Sequence, residues 1–238
     1  WGYDILSLVV YGARWSLGIS AGVALLRVGL GLGIALVIGG RRAAGRRNPL
    51  LAGWSSIPSF ILIYFILCGI NFNNPLPPLA LASLQVALLV VFGLFGTVPV
   101  IRGRLVEMEA SSFVEAARSC GADRPWILAR HVLPHLREPL VILFSHELVD
   151  VLVLLGKLGI FNMFVGGTRL TAYPDLFHSR THEWAGLVGQ YRGSLYKDDL
   201  WSLLFPLAAY LLLLSAFYLL SRGLEIRLRR RYRLVSRL

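Results

Sequence analysis

The sequence has few cysteines and few acidic residues, and each of these shortages limits the classes of protein to which the chain can belong. Its 238 residues include two cysteines, Cys68 and Cys120, and 13 acidic residues against 24 Lys and Arg. One cysteine ends an apolar run and the other lies in a polar stretch, so we expect free thiols rather than a disulfide. The chain also lacks the glycine-rich loop, ending in Lys and then Ser or Thr, that would cradle nucleotide phosphates, which excludes a nucleotide site of that kind.

Apolar residues, by contrast, are abundant. They make up 56% of the chain, the mean hydropathy is +0.65 and the net charge is +11. A nucleic-acid-binding domain would spread its basic residues over a water-facing surface, whereas here they form short clusters between apolar runs. The composition therefore indicates an integral membrane protein with basic loops and without a nucleic-acid partner.

Five apolar stretches reach the roughly 20 residues that a helix needs to cross a membrane. They cover residues 16–40, 50–70, 76–101, 139–161 and 203–220. Five such stretches with basic ends make buried helices of a soluble protein a poor alternative. We therefore predict an all-α, polytopic membrane helix bundle whose transmembrane domain covers residues 16–224.

The basic residues also predict the orientation of the bundle. Arginines are concentrated in three segments, 41–47, 102–137 and 222–237, whereas the segment 71–75 has none. By the positive-inside rule, the three arginine-rich segments lie in the cytoplasm. Residues 225–238 then form a basic cytoplasmic tail, which either binds anionic lipid headgroups or serves as a loose anchor.

Two segments fall on the external side in this orientation. Residues 1–15 are expected to form an external interfacial helix, and one further span is expected upstream of Trp1. The long segment 162–200 is rich in aromatic residues and glycine. Aromatic side chains are common at the headgroup level of a membrane, so this segment is either an interfacial belt or a docking face for an external partner.

The segment 102–138 is the longest polar stretch between two predicted spans. Residues 106–119 are rich in Glu and Ala, which favour a helix, and Gly121 is placed to end it. Asp123 can cap a second short helix. Pro134 and Pro139 are expected to mark the return of the chain to the membrane.

The spacing within this loop has a counterpart in a known family. Glu-Ala-Ala, three residues, Gly, nine residues, His131, one residue and Leu-Pro resemble the EAA loop of ABC-importer permeases. The matching positions are Glu115, Ala116, Ala117, Gly121, Leu133 and Pro134. The His at 131, and the opening Asp4-Ile5-Leu6-Ser7 followed by Tyr11-Gly12-Ala13-Arg14, are similar to the dipeptide, oligopeptide and nickel branch, although Tyr3 and Leu8 stand where Arg is usual.

The resemblance implies an ABC type I importer permease fold with six spans in the full chain. It implies a bacterial inner-membrane, multi-pass protein with a cytoplasmic C-terminus. The expected partners are a homologous second permease, two ATP-binding cassette ATPase subunits, an external solute-binding protein and membrane lipid. The chain itself is then no enzyme and carries no cofactor, because ATP and magnesium bind to the ATPase subunits.

The resemblance also implies that ATP hydrolysis drives alternating access through the loop. The residues expected to couple the chain to the ATPase are Glu115, Ala116, Ala117, Arg118, Gly121, Ala122, Leu133 and Pro134. Arg118 and Arg124 either pair with acidic groups of the ATPase or only anchor the loop inside the cell. Di- or oligopeptides are the expected solutes, with nickel or another small solute as the alternative.

Four ionisable residues lie within the fourth predicted span. They are His146, Glu147, Asp150 and Lys157. Ionisable groups inside a membrane are costly and usually face a cavity or a partner. His146, Asp150 and Lys157 share one helical stripe and Glu147 is rotated from it. The residues either line a translocation path or satisfy one another, Arg27 or the second permease.

Two other function classes fit parts of the sequence. His146, Glu147 and Asp150 resemble half of a metalloprotease helix, which makes an intramembrane zinc protease a remote alternative. A carrier or channel that works without an ATPase is another. Outside the membrane, His178 and His182 with Glu183 are either a metal-binding pair or ordinary surface residues.

Overall fold

The computed structural model describes residues 4–39, 58–172, 175–196 and 199–235, and most of them belong to helices. The elements in chain order are α1 (Ile5–Ile38), α2 (Ser59–Cys68), α3 (Pro78–Glu109), α4 (Ser112–Ser119), α5 (Arg124–Ile127), a π-helical turn (Leu128–Val132), α6 (Leu133–Ile160), β1 (Thr168–Ala172), β2 (Asp175–Ser179), α7 (Trp184–Tyr191), a 3-10 turn (Arg192–Tyr196) and α8 (Trp201–Val235).

Four helical segments are long and apolar enough to cross a membrane. They are Ile5–Ile38, Pro78–Glu109, Arg124–Ile160 and Trp201–Leu228. The predicted second span, 50–70, is described from Pro58 onward, where the short apolar helix α2 lies, and its residues 50–57 are outside the described part. The predicted all-α membrane bundle is thus confirmed as a fold class.

The helices extend beyond the predicted spans, which corrects several predicted boundaries. Residues 5–15 are the first turns of α1 rather than a separate interfacial helix, and Asp4 caps that helix by accepting a hydrogen bond from the Leu6 amide at 3.1 Å. At the other end of the chain, α8 runs on through the basic segment to Val235. Apolar length predicts only the part of a helix that lies in lipid, whereas the helix itself continues until a residue breaks it.

Pro134 and Pro139, which were expected to mark the return of the chain to the membrane, do not interrupt a helix. Both prolines lie in α6, and α5, the π-helical turn and α6 join end to end as one rod of 37 residues. Proline normally clashes with the carbonyl four residues before it. Just before Pro134, the wider π turn shifts the hydrogen bonding by one residue, and the Leu133 amide bonds the Leu128 carbonyl.

Two buried apolar clusters hold the bundle together. The larger one lies among the spanning helices and includes Ile19, Val23, Ile63, Leu67, Leu89, Val151, Leu155 and Leu158. The smaller one joins α1, α3, α4, α5, the π turn and α6 through Ala35, Ile101, Leu105, Val114, Ile127, Val132 and Leu136. The smaller cluster positions the predicted coupling loop on the spanning helices, and this end of the bundle is called the loop end below.

The opposite end, called the hairpin end below, consists of residues 162–196. Strands β1 and β2 pair antiparallel in the register Thr168↔Ser179, and α7 packs against α1, α6 and α8. A Cβ atom on Gly189 would collide with the Gly159 carbonyl, and one on Gly12 would collide with the His182 carbonyl. The hairpin end is therefore packed into the bundle at backbone-to-backbone distance.

Candidate functional site

A buried ion pair joins three helices in the middle of the bundle. Arg27 of α1 donates from Nη1 to Glu147 Oε2 of α6 at 2.9 Å, and the two side chains are only 5% and 9% exposed. Arg27 also donates to the Leu89 carbonyl of α3, from Nη2 at 2.7 Å and from Nε at 3.0 Å. The Thr97 hydroxyl donates to Glu147 Oε1 at 2.6 Å. Each charged group is thus hydrogen-bonded, as burial requires.

A glycine makes room for this pair. A Cβ atom on Gly93 of α3 would overlap the Arg27 guanidinium. Of the roles that the sequence left open, Glu147 therefore takes the one of partner to Arg27. The two residues of the pair are 120 positions apart in sequence. The sequence feature that indicated such a pair was Arg27, the single arginine within a predicted span.

The other three ionisable residues of the predicted fourth span are exposed in this chain and face a cavity. His146, Asp150 and Lys157 line a space of about 510 Å³ between α2, α3 and α6, and Glu147 forms part of its wall. Apolar side chains such as Phe92 complete the lining. The structure thus brings all four predicted residues to one cavity, with an acid and a base available in it.

A second cavity adjoins the first toward the loop end. It has a volume of about 580 Å³ and its lining includes Arg104, Glu138 and many apolar side chains. Val100, Leu143 and His146 line both cavities. The two spaces therefore form one cleft along α3 and α6, from the level of Lys157 to the loop end.

The predicted coupling residues lie on the loop-end surface. Within α4, Val114 is fully buried, whereas Glu115, Ala116 and Arg118 are exposed and Ala117 is partly buried. Leu133 and Pro134 are exposed at the start of α6, and Ala122 is partly buried. The small residues of α4 thus form an exposed surface, and the buried side chain of Val114 attaches this helix to the bundle.

Gly121 ends α4 in the left-handed conformation, with φ of +84°. The Ala122 amide bonds the Ala117 carbonyl at 3.1 Å, and the Gly121 amide bonds the Arg118 carbonyl at 2.9 Å. This is the Schellman pattern of helix ends, for which glycine is preferred because it has no Cβ. The turn directs the chain from α4 into α5.

Two features of the loop end were missed at the sequence level. Arg124 pairs with the buried Glu109 at 3.2 Å and ties α5 to the end of α3. In addition, Phe113 stacks on His135 with ring centroids 5.2 Å apart, and Trp126 meets His131 edge-on at 5.1 Å. Trp126 is 52% exposed, so this aromatic cluster extends the predicted coupling surface beyond the small residues of α4.

At the hairpin end, the carboxyl group of Glu183 is buried. Burial raises its pKa to about 7, while hydrogen bonds from the backbone amides of Gly186, Val165 and Ala185 oppose that rise. Burial also lowers the pKa of His178 and of His182, aided by Arg169 and by His178 respectively. Within the described ranges, no three potential metal ligands come together.

Comparison with known proteins adds to this geometry. The model of the family "Binding-protein-dependent transport system inner membrane component" matches residues 27–233. The glutathione transport system permease protein GsiD of Pectobacterium atrosepticum is 27% identical over 233 residues, covering 94% of this chain and 68% of that protein. The GsiD protein of Escherichia coli O6:K15:H31 matches with the same identity and coverage.

One solved structure has the same arrangement of helices. It shows inward-facing conformations of the MetNI methionine ABC transporter, and it superimposes with a TM-score of 0.58. The match covers 93% of this chain and 96% of that one, at 16% sequence identity. At this identity the likeness is one of fold.

Proposed function

Because the chain belongs to the family of binding-protein-dependent transport system inner membrane components and has their ABC importer permease fold, we propose that it imports short peptides. As a permease subunit it is a non-enzymatic membrane protein, and the ATPase activity of such a system resides on separate subunits. The observation that carries the peptide assignment is the cleft that presents Asp150 and Lys157 together. The glutathione transport named for the relatives supports the same solute class, since glutathione is a small peptide.

The spacing of the two charges matches a short peptide. Asp150 and Lys157 are seven residues apart on one face of α6, which places them about 10 Å apart along the helix axis. An extended peptide advances about 3.3–3.6 Å per residue, so about three residues fit between the two charges. Asp150 would accept the peptide ammonium group and Lys157 would hold the carboxylate, each through a charge-assisted hydrogen bond.

Glu147 has a different role in this proposal. Its carboxylate is neutralised by Arg27 and bonded by Thr97, so it fixes the helices around the cleft and is not available to the solute. The same pairing occupies Glu147, the residue that would act as the base of a metalloprotease beside His146, and membership of a family of transport permeases also argues against that alternative. A nickel or other small-solute importer remains the alternative within the family.

The partners follow from the family and from the open cleft. We infer that a homologous second permease closes the cleft, since Asp150 and Lys157 are exposed in the single chain. Two ATPase subunits would hold ATP and magnesium, and no cofactor is assigned to this chain. An external solute-binding protein would deliver the solute. The loop end and the C-terminus are assigned to the cytoplasm on the basis of their arginines.

Coupling to the ATPase would take place on the exposed face of α4. Val114 is buried in the smaller cluster while Glu115 and Ala116 point away from it, so a partner can contact α4 without unfolding its anchor. The ion pair of Arg124 with Glu109 links this surface to α3. A displacement of α4 by the ATPase would therefore move the helices that line the cleft.

The test is uptake of labelled tripeptides into proteoliposomes that hold the assembled complex and its receptor. We expect Asp150→Asn to lower uptake of a free tripeptide about ten- to a hundredfold, because one charged hydrogen bond contributes about 1.5–3 kcal/mol. The same variant should leave uptake of the N-acetylated tripeptide unchanged. Lys157→Gln should show the converse pattern with the C-amidated tripeptide.

The matched control is Asp199→Asn, which removes an exposed acid outside the cleft and should import like the wild type. If both cleft variants imported free tripeptide at the wild-type rate, the peptide assignment would be wrong. Import of a nickel chelate but no peptide by the wild type would replace it with the alternative solute and leave the permease assignment in place.

A further inference from the structure

The hairpin end contains a basic cleft that the solute path does not use. It has a volume of about 380 Å³ and its lining includes Arg169, Arg180, His178 and His182. A smaller polar recess of about 230 Å³ adjoins it and shares the two arginines. Among the described residues, no acidic side chain lines either space. We call the two spaces together the arginine cleft.

The arginines are presented in different ways. Arg180 is held in place by hydrogen bonds from its Nη1 to the carbonyls of Leu76 and Asn74, at 2.9 and 3.3 Å. The Arg169 side chain is exposed and makes no hydrogen bond or ion pair with a described residue. One guanidinium is therefore fixed at the rim while the other remains available, and a guanidinium offers the paired donors that a carboxylate accepts.

The surrounding groups favour an anion as well. Arg169 lies directly across the hairpin from His178, and its charge helps to lower the pKa of that histidine, a sign of positive potential inside the cleft. The buried Nδ1 of His182 has no hydrogen-bond partner among the described residues. The Gln190 Oε1 accepts from the Ser179 amide at 2.9 Å, which directs the amide nitrogen of Gln190 to another acceptor.

We propose that the arginine cleft receives an aspartate or glutamate side chain of the external solute-binding protein when that protein docks. The proposal rests on the function proposed above, because it names the contact by which that importer would bind its receptor. A cleft of this size fits one or two side chains, and its positive charge is complementary to a carboxylate.

Two other sources of an anion fit the cleft less well. A phospholipid would need an apolar track for its acyl chains, and among the described residues only Leu8, Pro75 and Pro78 are aliphatic residues of the lining. A solute carboxylate would have to continue to the cavity of Asp150 and Lys157, but the arginine cleft shares no lining residue with that cavity.

The experiment measures binding of the receptor to the assembled complex in nanodiscs. The receptor used is the purified solute-binding protein that stimulates ATP hydrolysis by the wild-type complex. We expect Arg169→Gln to raise the Kd of the receptor about tenfold or more and to weaken its dependence on salt, because a charge pair across the interface is lost. Arg180→Gln should act in the same direction, but it also removes contacts to residues 74–76, so Arg169 decides the test.

The matched control is Arg192→Gln. Arg192 lies in the same external segment, is exposed and does not line the cleft, and its variant should bind the receptor like the wild type. Thermal unfolding of each variant checks that the hairpin end remains folded.

Three other results would overturn the proposal, and a fourth would overturn the proposed function instead. Receptor binding by Arg169→Gln at wild-type Kd would overturn the proposal. So would a defect seen in nanodiscs with phosphatidylglycerol but not in pure phosphatidylcholine, which would indicate a lipid site, or a loss of peptide uptake with receptor binding intact, which would indicate a solute site. If no solute-binding protein stimulated the wild-type complex, the proposed function would fail before this contact was tested.

Discussion

At the hairpin end, α7 buries Ala185, Gly186, Leu187, Gly189 and Gln190 against the spanning helices, whereas at the loop end, α4 buries Val114 alone. Both helices have eight residues, so the difference lies in what surrounds them. The hairpin end completes its packing within the chain. The loop end leaves most of its short helix exposed, as a surface meant to be covered by another chain would be.

This comparison predicts that substitutions at the hairpin end act on stability and that substitutions at the loop end act on coupling. The largest effect is expected for Gly189→Ala, because its Cβ would collide with the Gly159 carbonyl. We expect a loss of about 3 kcal/mol or more in unfolding free energy, seen as a lower melting temperature in detergent. Gly193→Ala is the control, since a Cβ there meets no atom within 4 Å, and equal melting of the two variants would contradict the close packing.

A smaller effect is expected from the pH dependence of Glu183. Its pKa in the folded chain is raised from 4.5 to about 7, so the folded state holds a proton that the unfolded state releases first. The contribution to stability is complete below pH 4.5 and is lost as the pH rises to about 7, by about 3 kcal/mol. Melting temperature should therefore fall from about pH 5 to about pH 7.

Glu183→Gln tests the source of this slope, because an amide does not titrate. The variant should show a flatter pH profile over the same range. A wild-type melting temperature that rises toward neutral pH would mean that Glu183 is ionised in the folded chain.

The smallest effect on stability is expected at the loop end. Ala116→Trp adds bulk to an exposed position of α4, and exposed substitutions usually change stability by less than about 0.5 kcal/mol. Peptide uptake and receptor-stimulated ATP hydrolysis should nevertheless become uncoupled, since the indole would obstruct the contact with the ATPase. Ala110→Trp, also exposed but outside α4, is the control, and normal uptake by the Ala116 variant would place the ATPase contact elsewhere.

The difference between the two ends also explains why the sequence alone predicts the features of the loop end better than those of the hairpin end. The predicted coupling loop depends on local features: small residues in α4, Gly121 for a turn with positive φ, and a fixed spacing to Leu133 and Pro134. Such features can be read along a single stretch of chain. The fold class followed in the same way from apolar length, and the family match confirms it.

The hairpin end and the central ion pair depend on contacts between distant parts of the chain. Nothing near Gly12 indicates that it packs on His182, and Arg27 had several possible partners until the topology placed it beside Glu147. The pairs Gly156 and Gly159, and Gly186 and Gly189, were the available signal, because small residues spaced along a helix permit close approach in membranes. The arginine cleft had no such signal, because its side chains come from both strands and from the loop that follows them.

The continuous rod of residues 124–160 has a mechanical consequence for the order in which a bound solute is let go. The rod is held near its middle, where Glu147 meets Arg27 and Thr97. Measured from that joint, Asp150 is about 4.5 Å along the axis and Lys157 about 15 Å. If the proposed peptide binds between them, a swing of the rod together with the packed hairpin end about this joint would carry Lys157 roughly three times as far as Asp150, so the peptide would be released at its carboxyl end first and at its amino end last.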